Sequence, residues 1–298
     1  MRKGDFSLLL NLLKENSGWK FDESQYFIID KKLNNFIREK NYTSIDSLID
    51  NLKKGNKQLI SQVVETLAFS DTSFFRDYDV FYQFENVVLP KLKEKCRTSK
   101  KLNIWSLGCS TGQEAYSIAM IIDKNHNMFA DWNVNIHASD LSADAISKAQ
   151  HGVYSNFEVQ TGLNAHMILQ YFSQNGDNWN ISDKIKKMID FRKYNLLNEA
   201  IVKSKFEVVF CRNVLRYFAP ELQDLLLKRI RETQPQGGYL YLGKGEHLSS
   251  IEKYYQKIDN KGIYVAVENS ISNTSSKNLS VRSLGKDSLP SFVKPSGL

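Results

Sequence analysis

The chain has 298 residues, of which 42% are hydrophobic and 24% are charged, as is ordinary for a globular protein with a large buried core. No run approaches the roughly 20 apolar residues that a membrane-spanning helix needs, and the N-terminal segment lacks a signal-peptide pattern, so we expect a cytoplasmic protein without membrane insertion. Three scattered cysteines and five histidines without ligand spacing predict neither a disulfide nor a metal site. The net charge of +7 favours an acidic partner, either nucleic acid or an acidic protein surface, although a solvated basic surface explains it equally well.

The first predicted unit is a small helical domain, because apolar residues recur at helical spacing from Phe6 to about Leu67. With a linker, it covers residues 1–85. Inside it, residues 30–40 place Leu33, Phe36 and Ile37 on one helical face and basic side chains off that face. This pattern fits either an ordinary amphipathic helix or a surface for an acidic partner. The basic residues are Lys31, Lys32, Arg38 and Lys40.

Residues 86–270 are predicted to form a larger domain, because short apolar runs after Lys101 alternate with amphipathic segments. Alternating strands and helices are typical of an α/β fold whose sheet is mostly parallel, with right-handed crossovers. The predicted strands are residues 103–107, 133–138, 189–194, 206–211 and 239–242, and the predicted helices between them are residues 114–123, 143–150 and 220–233.

Other segments depart from this alternation. A polar stretch at about 153–188 is too long for a simple connection and is predicted to be a small inserted subdomain. Residues 254–259 and 263–268 flank an Asn-Lys-Gly turn, which predicts a closing antiparallel hairpin. Residues 271–298 are rich in Ser, Asn, Lys, Gly and Pro, and we expect this tail to be disordered.

The segment WSLGCSTGQEAYSIAM, at residues 105–120, reads as a strand, a loop of small residues and a helix. Gly108, Ser110 and Gly112 let the backbone approach a ligand closely, and the start of the helix offers unpaired N–H groups. The spacing is GxxxG, so it is neither the dinucleotide pattern GxGxxG nor a P-loop, which would need a lysine. A cofactor site fits this loop, but the loop alone is weak support for one.

An acidic residue, Asp140, follows the second predicted strand. In sheets of this type such a residue commonly holds ribose hydroxyls. The alternative is that Asp140 or Ser142 caps the following helix. A glycine loop and an acidic strand end without a phosphate motif favour an adenosine cofactor that lacks pyrophosphate, of which S-adenosylmethionine is the commonest.

Several motifs resemble those of the CheR family in content, order and spacing, over about Phe6 to Glu268. They are SDTSFFRD (70–77), WSLGCSTGQEAYSIAM (105–120), ASD (138–140), HGVY (151–154), NLL (195–197), FEVVFCRNVLRYF (206–218) and GGYLYLGKGEHL (237–248). The resemblance implies a Rossmann-like class I methyltransferase sheet with an N-terminal helical domain and a small inserted β-subdomain. It also implies methyl transfer from S-adenosylmethionine to glutamate side chains of chemotaxis receptors, which gives glutamyl methyl esters and S-adenosylhomocysteine.

The resemblance assigns roles to residues on both sides of the predicted cofactor. Thr72 and Arg76 are similar to residues that hold its methionine part, and the Arg76 guanidinium suits a carboxylate. Gly108 belongs to the cofactor loop, Glu114 matches an acid that balances the cofactor's amino group, and Asp140 matches the ribose-binding acid.

The later motifs supply the remaining predicted contacts. Asn195 and Leu196 are similar to the pair that flanks the adenine ring, while Asn213 and Val214 match cofactor contacts after the fourth strand. From the same motif, Arg212 and Tyr217 are the predicted catalytic residues that line the methyl-transfer channel. Packing is an equally good explanation for these last two residues.

The sequence departs from the family pattern in three places. Ser70 stands where the family usually has asparagine. The helix at 30–40 aligns with a receptor-binding helix that is richer in arginine, so Lys31, Lys32, Arg38 and Lys40 are the candidates to face the helical cytoplasmic domain of a receptor. The loop around 173–180 is short and carries one glycine, Gly176, which predicts that the protein does not depend on binding a receptor-tail pentapeptide.

Two other functions are weighed against receptor methylation. Nucleic-acid amino methyltransferases typically carry an Asn/Asp-Pro-Pro-aromatic motif after the fourth strand, whereas this chain has CRNVLRYF, so we expect no nucleic-acid substrate. A non-catalytic, cofactor-binding signalling adaptor would keep the same fold and the same cofactor residues. No oligomerisation pattern stands out, and we expect a monomer.

Overall fold

A computed structural model of the protein describes residues 3–20, 25–68, 71–197, 199–200, 203–258 and 262–267. Ser70 and the predicted tail at 271–298 lie outside the described residues. No helix in these ranges is both long and apolar enough to cross a membrane.

The predicted N-terminal helical region begins the chain. The predicted amphipathic segment at 30–40 is confirmed as most of its second helix, in which Leu33, Phe36 and Ile37 are buried. Ser44 caps the third helix by accepting a hydrogen bond from a backbone N–H three residues later. The helices are α1 (Lys3–Ser17), α2 (Tyr26–Glu39), α3 (Ile45–Lys53) and α4 (Lys57–Leu67).

One continuous helical segment connects this region to the sheet. It consists of α5 (Tyr78–Gln83), a π-helical turn (Phe84–Val88) and α6 (Leu89–Lys95). The π-helical turn precedes Pro90, which has no backbone N–H to donate. The predicted boundary at residue 85 lies inside this turn, and the division of the chain into domains stays a prediction.

The sheet and its helices follow. Within the described residues, seven strands form one sheet. Their order is β6 (Ile189–Lys193), β2 (Asn133–Asp140), β1 (Lys101–Leu107), β7 (Val208–Cys211), β8 (Tyr239–Leu242), β10 (Ile263–Ala266) and β9 (Tyr255–Lys257). Strands β6, β2, β1, β7 and β8 are parallel, whereas β10 is antiparallel to both of its neighbours. This order confirms the predicted Rossmann-like class I methyltransferase sheet. The elements are β1 (Lys101–Leu107), α7 (Gln113–Lys124), β2 (Asn133–Asp140), α8 (Ala143–His151), β3 (Val153–Ser155), α9 (Asn156–Gln160), α10 (Ala165–Tyr171), β4 (Phe172–Asn175), β5 (Asn178–Ile181), α11 (Asp183–Lys186), β6 (Ile189–Lys193), β7 (Val208–Cys211), α12 (Pro220–Glu232), β8 (Tyr239–Leu242), β9 (Tyr255–Lys257) and β10 (Ile263–Ala266).

The predicted strands and helices of the sheet domain are confirmed, although their ends shift. The strand predicted at 206–211 begins at Val208. The backbone N–H of Phe206 bonds to the carbonyl oxygen of Thr233 after α12, whereas the Glu207 N–H already bonds to the backbone oxygen of Asn103 in β1. The predicted hairpin is confirmed as β9 and β10, and its predicted ends at Asp259 and Glu268 lie outside the described residues.

The sheet separates two hydrophobic cores, because successive side chains of a buried strand point to opposite faces. Val208 and Phe210 face a core that includes α5, α6, α7 and the inserted segment. Val209 and Cys211 face the other core, which contains α12 and buried side chains of α1, α2, α3 and α4. The N-terminal helices therefore cover one face of the sheet.

The inserted segment contains its own antiparallel sheet, in the order β3-β5-β4. A two-residue turn that begins with Gly176, at φ 59°, joins β4 to β5, so the segment predicted as a short loop at 173–180 is mostly strand. Tyr154 and Phe172 of this subdomain pack edge-to-face against Phe74. These contacts fix the subdomain beside the segment that precedes α5.

Candidate functional site

A cavity lies at the carboxyl ends of strands β1, β2, β6 and β7, where open α/β sheets usually bind ligands. It holds about 970 Å³ of space between protein atoms, including the solvent at its mouth. Strands β2 and β6, which follow β1 in the chain, lie on one side of β1 in the strand order, whereas β7 and the later strands lie on its other side. The loops that follow the neighbouring strands β1 and β7 therefore run in opposite directions. All of the predicted cofactor-binding and catalytic residues border this cavity: Thr72, Arg76, Gly108, Glu114, Asp140, Asn195, Leu196, Arg212, Asn213, Val214 and Tyr217.

The glycine loop after β1 packs directly against the loop after β7. Gly108 has φ 77°, and a Cβ atom there would lie 2.4 Å from Cγ2 of Val214. Gly112, at φ 97°, immediately precedes the first residue of α7. Glycine is required at position 108 both for the backbone conformation and for the space.

Asp140 connects the loops that follow β1 and β2. Its Oδ2 accepts a hydrogen bond from the Ser110 N–H at 2.8 Å, and its Oδ1 accepts one from the Ser142 N–H at 2.9 Å. Burial raises the pKa of Asp140, and these backbone hydrogen bonds oppose the rise. Ser142 caps α8 by accepting a hydrogen bond from the Ala145 N–H. Asp140 is therefore not the helix cap, and its oxygens keep acceptor capacity toward the cavity.

A buried ion-pair network borders the cavity. The side chain of Arg212, only 2% exposed, donates to Oε2 of Glu114 at 3.2 Å and to Oδ2 of Asp77 at 2.6 Å. The Ser106 hydroxyl donates to Oε1 of Glu114 at 2.7 Å. Burial raises the pKa of Glu114, while Arg212 and Ser106 oppose the rise. Two carboxylates around one guanidinium leave a negative charge when ionised, which favours a cationic group in the cavity.

The segment between α4 and α5 has an unusual backbone conformation. Phe75 and Asp77 have φ angles of 48° and 58°, which are uncommon for residues other than glycine. The Phe75 N–H donates to the Ser117 hydroxyl oxygen at 2.9 Å, which fixes the segment to α7. Thr72 and Arg76 thereby lie at the cavity.

Arg76, which is predicted to hold a carboxylate, is already paired with one. Its guanidinium donates to the backbone oxygen of Asp71 at 2.7 Å and to the Asp71 carboxylate at 3.1 Å. The Asp71 side chain is exposed, and exposed ion pairs stabilise a protein little. A ligand carboxylate can therefore replace Asp71 at small cost.

The loop after β7 carries Asn213, Val214 and Tyr217. Asn213 has φ 61°, and its N–H donates to Oε2 of Glu246 at 2.7 Å. Within the described part of the chain, the side-chain Oδ1 of Asn213 is buried without a hydrogen-bond partner. A buried acceptor without a donor costs free energy, so this oxygen suits a donor group of a ligand.

The loop after β6 forms another side of the cavity. Leu196 is buried and presents an apolar surface. The Oδ1 atom of Asn195 accepts a hydrogen bond from the Leu197 N–H at 2.9 Å, while the Asn195 N–H donates to Oε1 of Glu199 at 2.8 Å. Leu196 thus offers a surface for a flat ring, and Asn195 fixes the loop that carries it.

The predicted receptor-binding residues lie on α2 or just after it. Lys31, Arg38 and Lys40 are exposed. Lys32 is half-buried, its Nζ donates to the backbone oxygen of Ala68, and burial lowers its pKa. Because Ala68 borders the cavity, Lys32 connects α2 to the cavity wall.

Sequence reasoning missed the contribution of α1 to the cavity. Trp19 borders the cavity and pairs with Phe218 as an isolated antiparallel bridge. The Lys20 N–H donates a hydrogen bond to the backbone carbonyl oxygen of Tyr217 at 2.6 Å. Gly18, which follows α1 at φ 70°, is the sequence signal that indicates a turn here, but it does not reveal the partner of that turn.

The model of the SAM-binding domain of CheR methyltransferases matches residues 70–263. This chain belongs to the CheR methyltransferase family. Its cofactor is S-adenosylmethionine, and the resemblance drawn from the motifs is confirmed.

Named CheR relatives extend the match into the N-terminal helices. Chemotaxis protein methyltransferase 1 of Pseudomonas aeruginosa is 33% identical over 258 residues, which cover 85% of this chain and 94% of the relative. The chemotaxis protein methyltransferase of Borreliella burgdorferi is 31% identical over 252 residues, covering 82% and 88%. A magnesium protoporphyrin IX methyltransferase from Synechocystis, solved with bound SAM, overlaps 75% of this chain and 97% of its own at 13% identity and a TM-score of 0.35. The strand order, and not this weak overlap, identifies the fold.

The cavity of this CheR methyltransferase fits its cofactor in four respects. Gly108 leaves room for the backbone to approach a ligand. Asp140 retains acceptor capacity for hydroxyl groups. The buried Oδ1 of Asn213 suits a ligand donor, and the network around Arg212 suits a cationic group.

Proposed function

We propose that this protein transfers a methyl group from S-adenosylmethionine to glutamate side-chain carboxylates of chemotaxis receptors, giving glutamyl methyl esters. The observation that carries the proposal is that all of the predicted cofactor and catalytic residues border one cavity at the switch point of the sheet. The names of the relatives support a role in chemotaxis. The helical cytoplasmic domain of a receptor is the proposed protein substrate.

We place the cofactor across the cavity. Asp140 accepts hydrogen bonds from the ribose, and the Leu196 surface packs against the adenine. Glu114 and Asn213 face the amino group of the methionine part, because the network of Glu114 carries spare negative charge and Asn213 offers an unsatisfied acceptor. Arg76 exchanges its Asp71 partner for the cofactor carboxylate. Thr72, Gly108, Asn195 and Val214 complete the proposed contacts.

The proposed reaction needs little general acid–base catalysis from this chain. When bound, S-adenosylmethionine supplies a methyl group on a sulfonium that a carboxylate can attack. A glutamate side chain, with a pKa of roughly 4.3, is already ionised at neutral pH and needs no general base. The cavity residues hold the reactants in line and exclude water. Burial raises the pKa of Tyr217, so its hydroxyl stays protonated and can donate a hydrogen bond to the attacking carboxylate.

We assign Arg212 a positioning role in this reaction. Its guanidinium binds Glu114, Asp77 and the backbone oxygen of Arg76, and its side chain is almost fully buried. These partners bind both terminal nitrogens of the guanidinium, and its buried Nε has no partner among the described residues. Because its bonds fix the Glu114 carboxylate, we assign Arg212 to orienting that group and direct contact with the substrate to Tyr217.

The exposed basic residues suit a receptor helix with acidic side chains. Lys31, Arg38 and Lys40 are the proposed docking residues, whereas Lys32 supports the cavity wall through Ala68. We also propose that a receptor-tail peptide is not needed, because the turn at Gly176 is short. Micromolar binding of such a pentapeptide in a titration would contradict this second point.

The deciding experiment measures transfer of radiolabelled methyl from S-adenosylmethionine to the cytoplasmic domain of a chemoreceptor from the same organism. We expect label that alkali releases as methanol, as a carboxyl methyl ester requires. Asp140→Ala should lower this label by at least about tenfold, because the ribose loses its acceptors. Asp144→Ala, an exposed change in the first turn of α8, is the matched control and should be neutral.

Two results would redirect the proposal. Cofactor binding without label on any receptor would favour a non-catalytic adaptor. Label on RNA or DNA, together with strongly salt-sensitive binding, would favour a nucleic-acid methyltransferase.

A further inference from the structure

A buried carboxylate that is not among the predicted site residues binds the backbone of the loop after β7. Glu246 lies in the turn after β8, in the motif GKGEHL, and is only 5% exposed. We propose that Glu246 is a positioning residue that fixes the loop Asn213–Tyr217 in its cofactor-binding conformation. This inference rests on the proposed role of that loop.

The Glu246 carboxylate accepts hydrogen bonds from three backbone N–H groups. Its Oε2 binds the Asn213 N–H at 2.7 Å and the Gly243 N–H at 2.6 Å, and its Oε1 binds the Arg216 N–H at 3.1 Å. Two of these donors belong to the loop after β7, and the third belongs to the loop after β8. One side chain therefore joins the loops at the ends of two neighbouring strands.

The chemistry of this contact requires a carboxylate. Both oxygens of Glu246 face donors, and a glutamine would turn its own NH₂ group toward at least one backbone N–H. Among the described residues, Glu246 has no ion-pair partner within 4.0 Å, so these hydrogen bonds are what stabilise its buried charge.

The loop after β7 has an uncommon and closely packed backbone. Asn213 has a positive φ of 61°, which most residues other than glycine avoid, although asparagine adopts it more readily than the others. Gly243 packs so closely that a Cβ atom there would lie 2.8 Å from the backbone nitrogen of Asn213. Val214 packs directly against Gly108 at the edge of the cavity. Without Glu246 we expect Asn213 to relax, which moves its Oδ1 and Val214 away from the cofactor.

The test compares Glu246→Gln with Glu207→Gln. Glu207 also binds a backbone N–H, that of Asn103 at 2.8 Å, but it lies at the opposite end of β7 from the cavity. Isothermal titration with S-adenosylmethionine and S-adenosylhomocysteine should show about tenfold weaker binding in the first variant, as expected if the competent loop falls to about a tenth of the population. Glu207→Gln should bind both ligands with normal affinity, even if its melting temperature falls as far as that of Glu246→Gln.

Hydrogen exchange supplies a readout that does not depend on the cofactor. Amides of the peptide spanning 212–218 should exchange faster in Glu246→Gln and stay protected in Glu207→Gln. Unchanged exchange and unchanged affinity would overturn the inference. If Glu246→Gln does not fold, Gly243→Ala replaces it in both measurements, because the added Cβ atom displaces the same Asn213 backbone. Normal affinity in Asn213→Ala would instead overturn the proposed placement of the cofactor, whatever the exchange data show.

Discussion

The space at position 108 decides how closely a cofactor can approach the sheet. In Gly108→Ala, the added methyl group meets Val214 at 2.4 Å in a backbone conformation that alanine rarely adopts. We expect the affinity for S-adenosylmethionine, measured by equilibrium dialysis, to fall at least about tenfold, since the Val214 side chain or one of the two loops must shift at the cavity.

Gly55→Ala is the matched control for this change. Gly55 also has a positive φ, of 74°, but nothing lies within 4 Å of an added Cβ atom. It reports the cost of backbone strain alone, about 1 kcal/mol, and should leave cofactor affinity intact. Equal losses of affinity in both variants would contradict a steric role for Gly108.

We expect the affinity for the cofactor to depend on pH, because two carboxyl groups that border the cavity have raised pKa values. Burial raises the pKa of both Asp140 and Glu114, so each takes up a proton at a higher pH than an ordinary carboxyl group. The ionised forms are the ones proposed to accept from ribose and to balance the cationic cofactor. As pH falls through the raised pKa values, the affinity should fall, and binding should be accompanied by proton release.

Calorimetry in buffers of different ionisation enthalpy checks this dependence. Glu114→Gln should weaken binding at neutral pH and flatten the decline in affinity toward acidic pH, because one of the titrating groups is removed. If the affinity increased on acidification, the protonated forms of Asp140 and Glu114 would be the ones that bind the cofactor, which would contradict the proposed placement.

At the level of secondary structure, the short segment before α5 carries two of the proposed cofactor contacts and a buried aromatic side chain. Phe74 is fully buried and packs against Tyr154 and Phe172 of the inserted subdomain. Phe74→Ala should lower the free energy of unfolding by about 3–5 kcal/mol. It should also weaken cofactor binding, because Thr72 and Arg76 belong to the same segment.

Denaturant titration with and without S-adenosylmethionine checks this prediction. Phe27→Ala is the control, because Phe27 is 83% exposed and its removal should change stability by no more than about 0.5 kcal/mol. If Phe74→Ala were as harmless as Phe27→Ala, the segment would not depend on its aromatic contacts.

The elements show why sequence patterns found the sheet but only part of the site. Strands such as β8 are short apolar runs between polar turns, and this pattern marks them directly. Asp140 and Gly108 follow strands in recognisable motifs. The hydrogen bonds of Glu246 and the bridge between Trp19 and Phe218 join residues far apart in the chain, so no local pattern records them.

In the whole molecule, the N-terminal helices and the sheet share one hydrophobic core. Buried side chains of α1, α2, α3 and α4 pack in the same cluster as Trp105 of β1, Val209 of β7 and Leu240 of β8. Helical spacing predicts the N-terminal helical domain but not its contacts with the sheet, because it reports which face of a helix is buried and not what covers that face. The shared core means that the helices and the sheet should unfold together.

Leu33→Ala tests this cooperativity. Leu33 is fully buried in α2, and its truncation should cost about 2–5 kcal/mol. Because the core is shared, the loss should appear in one transition that is the same by circular dichroism and by the fluorescence of Trp105, which is buried in the sheet, measured with the other three tryptophans replaced by phenylalanine.

Ile28→Ala separates packing from helix propensity in this test. Ile28 lies on the same helix but is half exposed, so its removal should leave the transition almost unchanged.

Two transitions in Leu33→Ala, with the sheet melting at its original midpoint, would mean that the N-terminal helices form an independent domain. The cofactor should then still bind after they unfold, although Trp19 and Lys20 would no longer hold the loop at Tyr217 and Phe218. A single transition and the simultaneous loss of cofactor binding would instead show that these helices are part of the catalytic unit, because the cavity exists only while both sides of the shared core are folded.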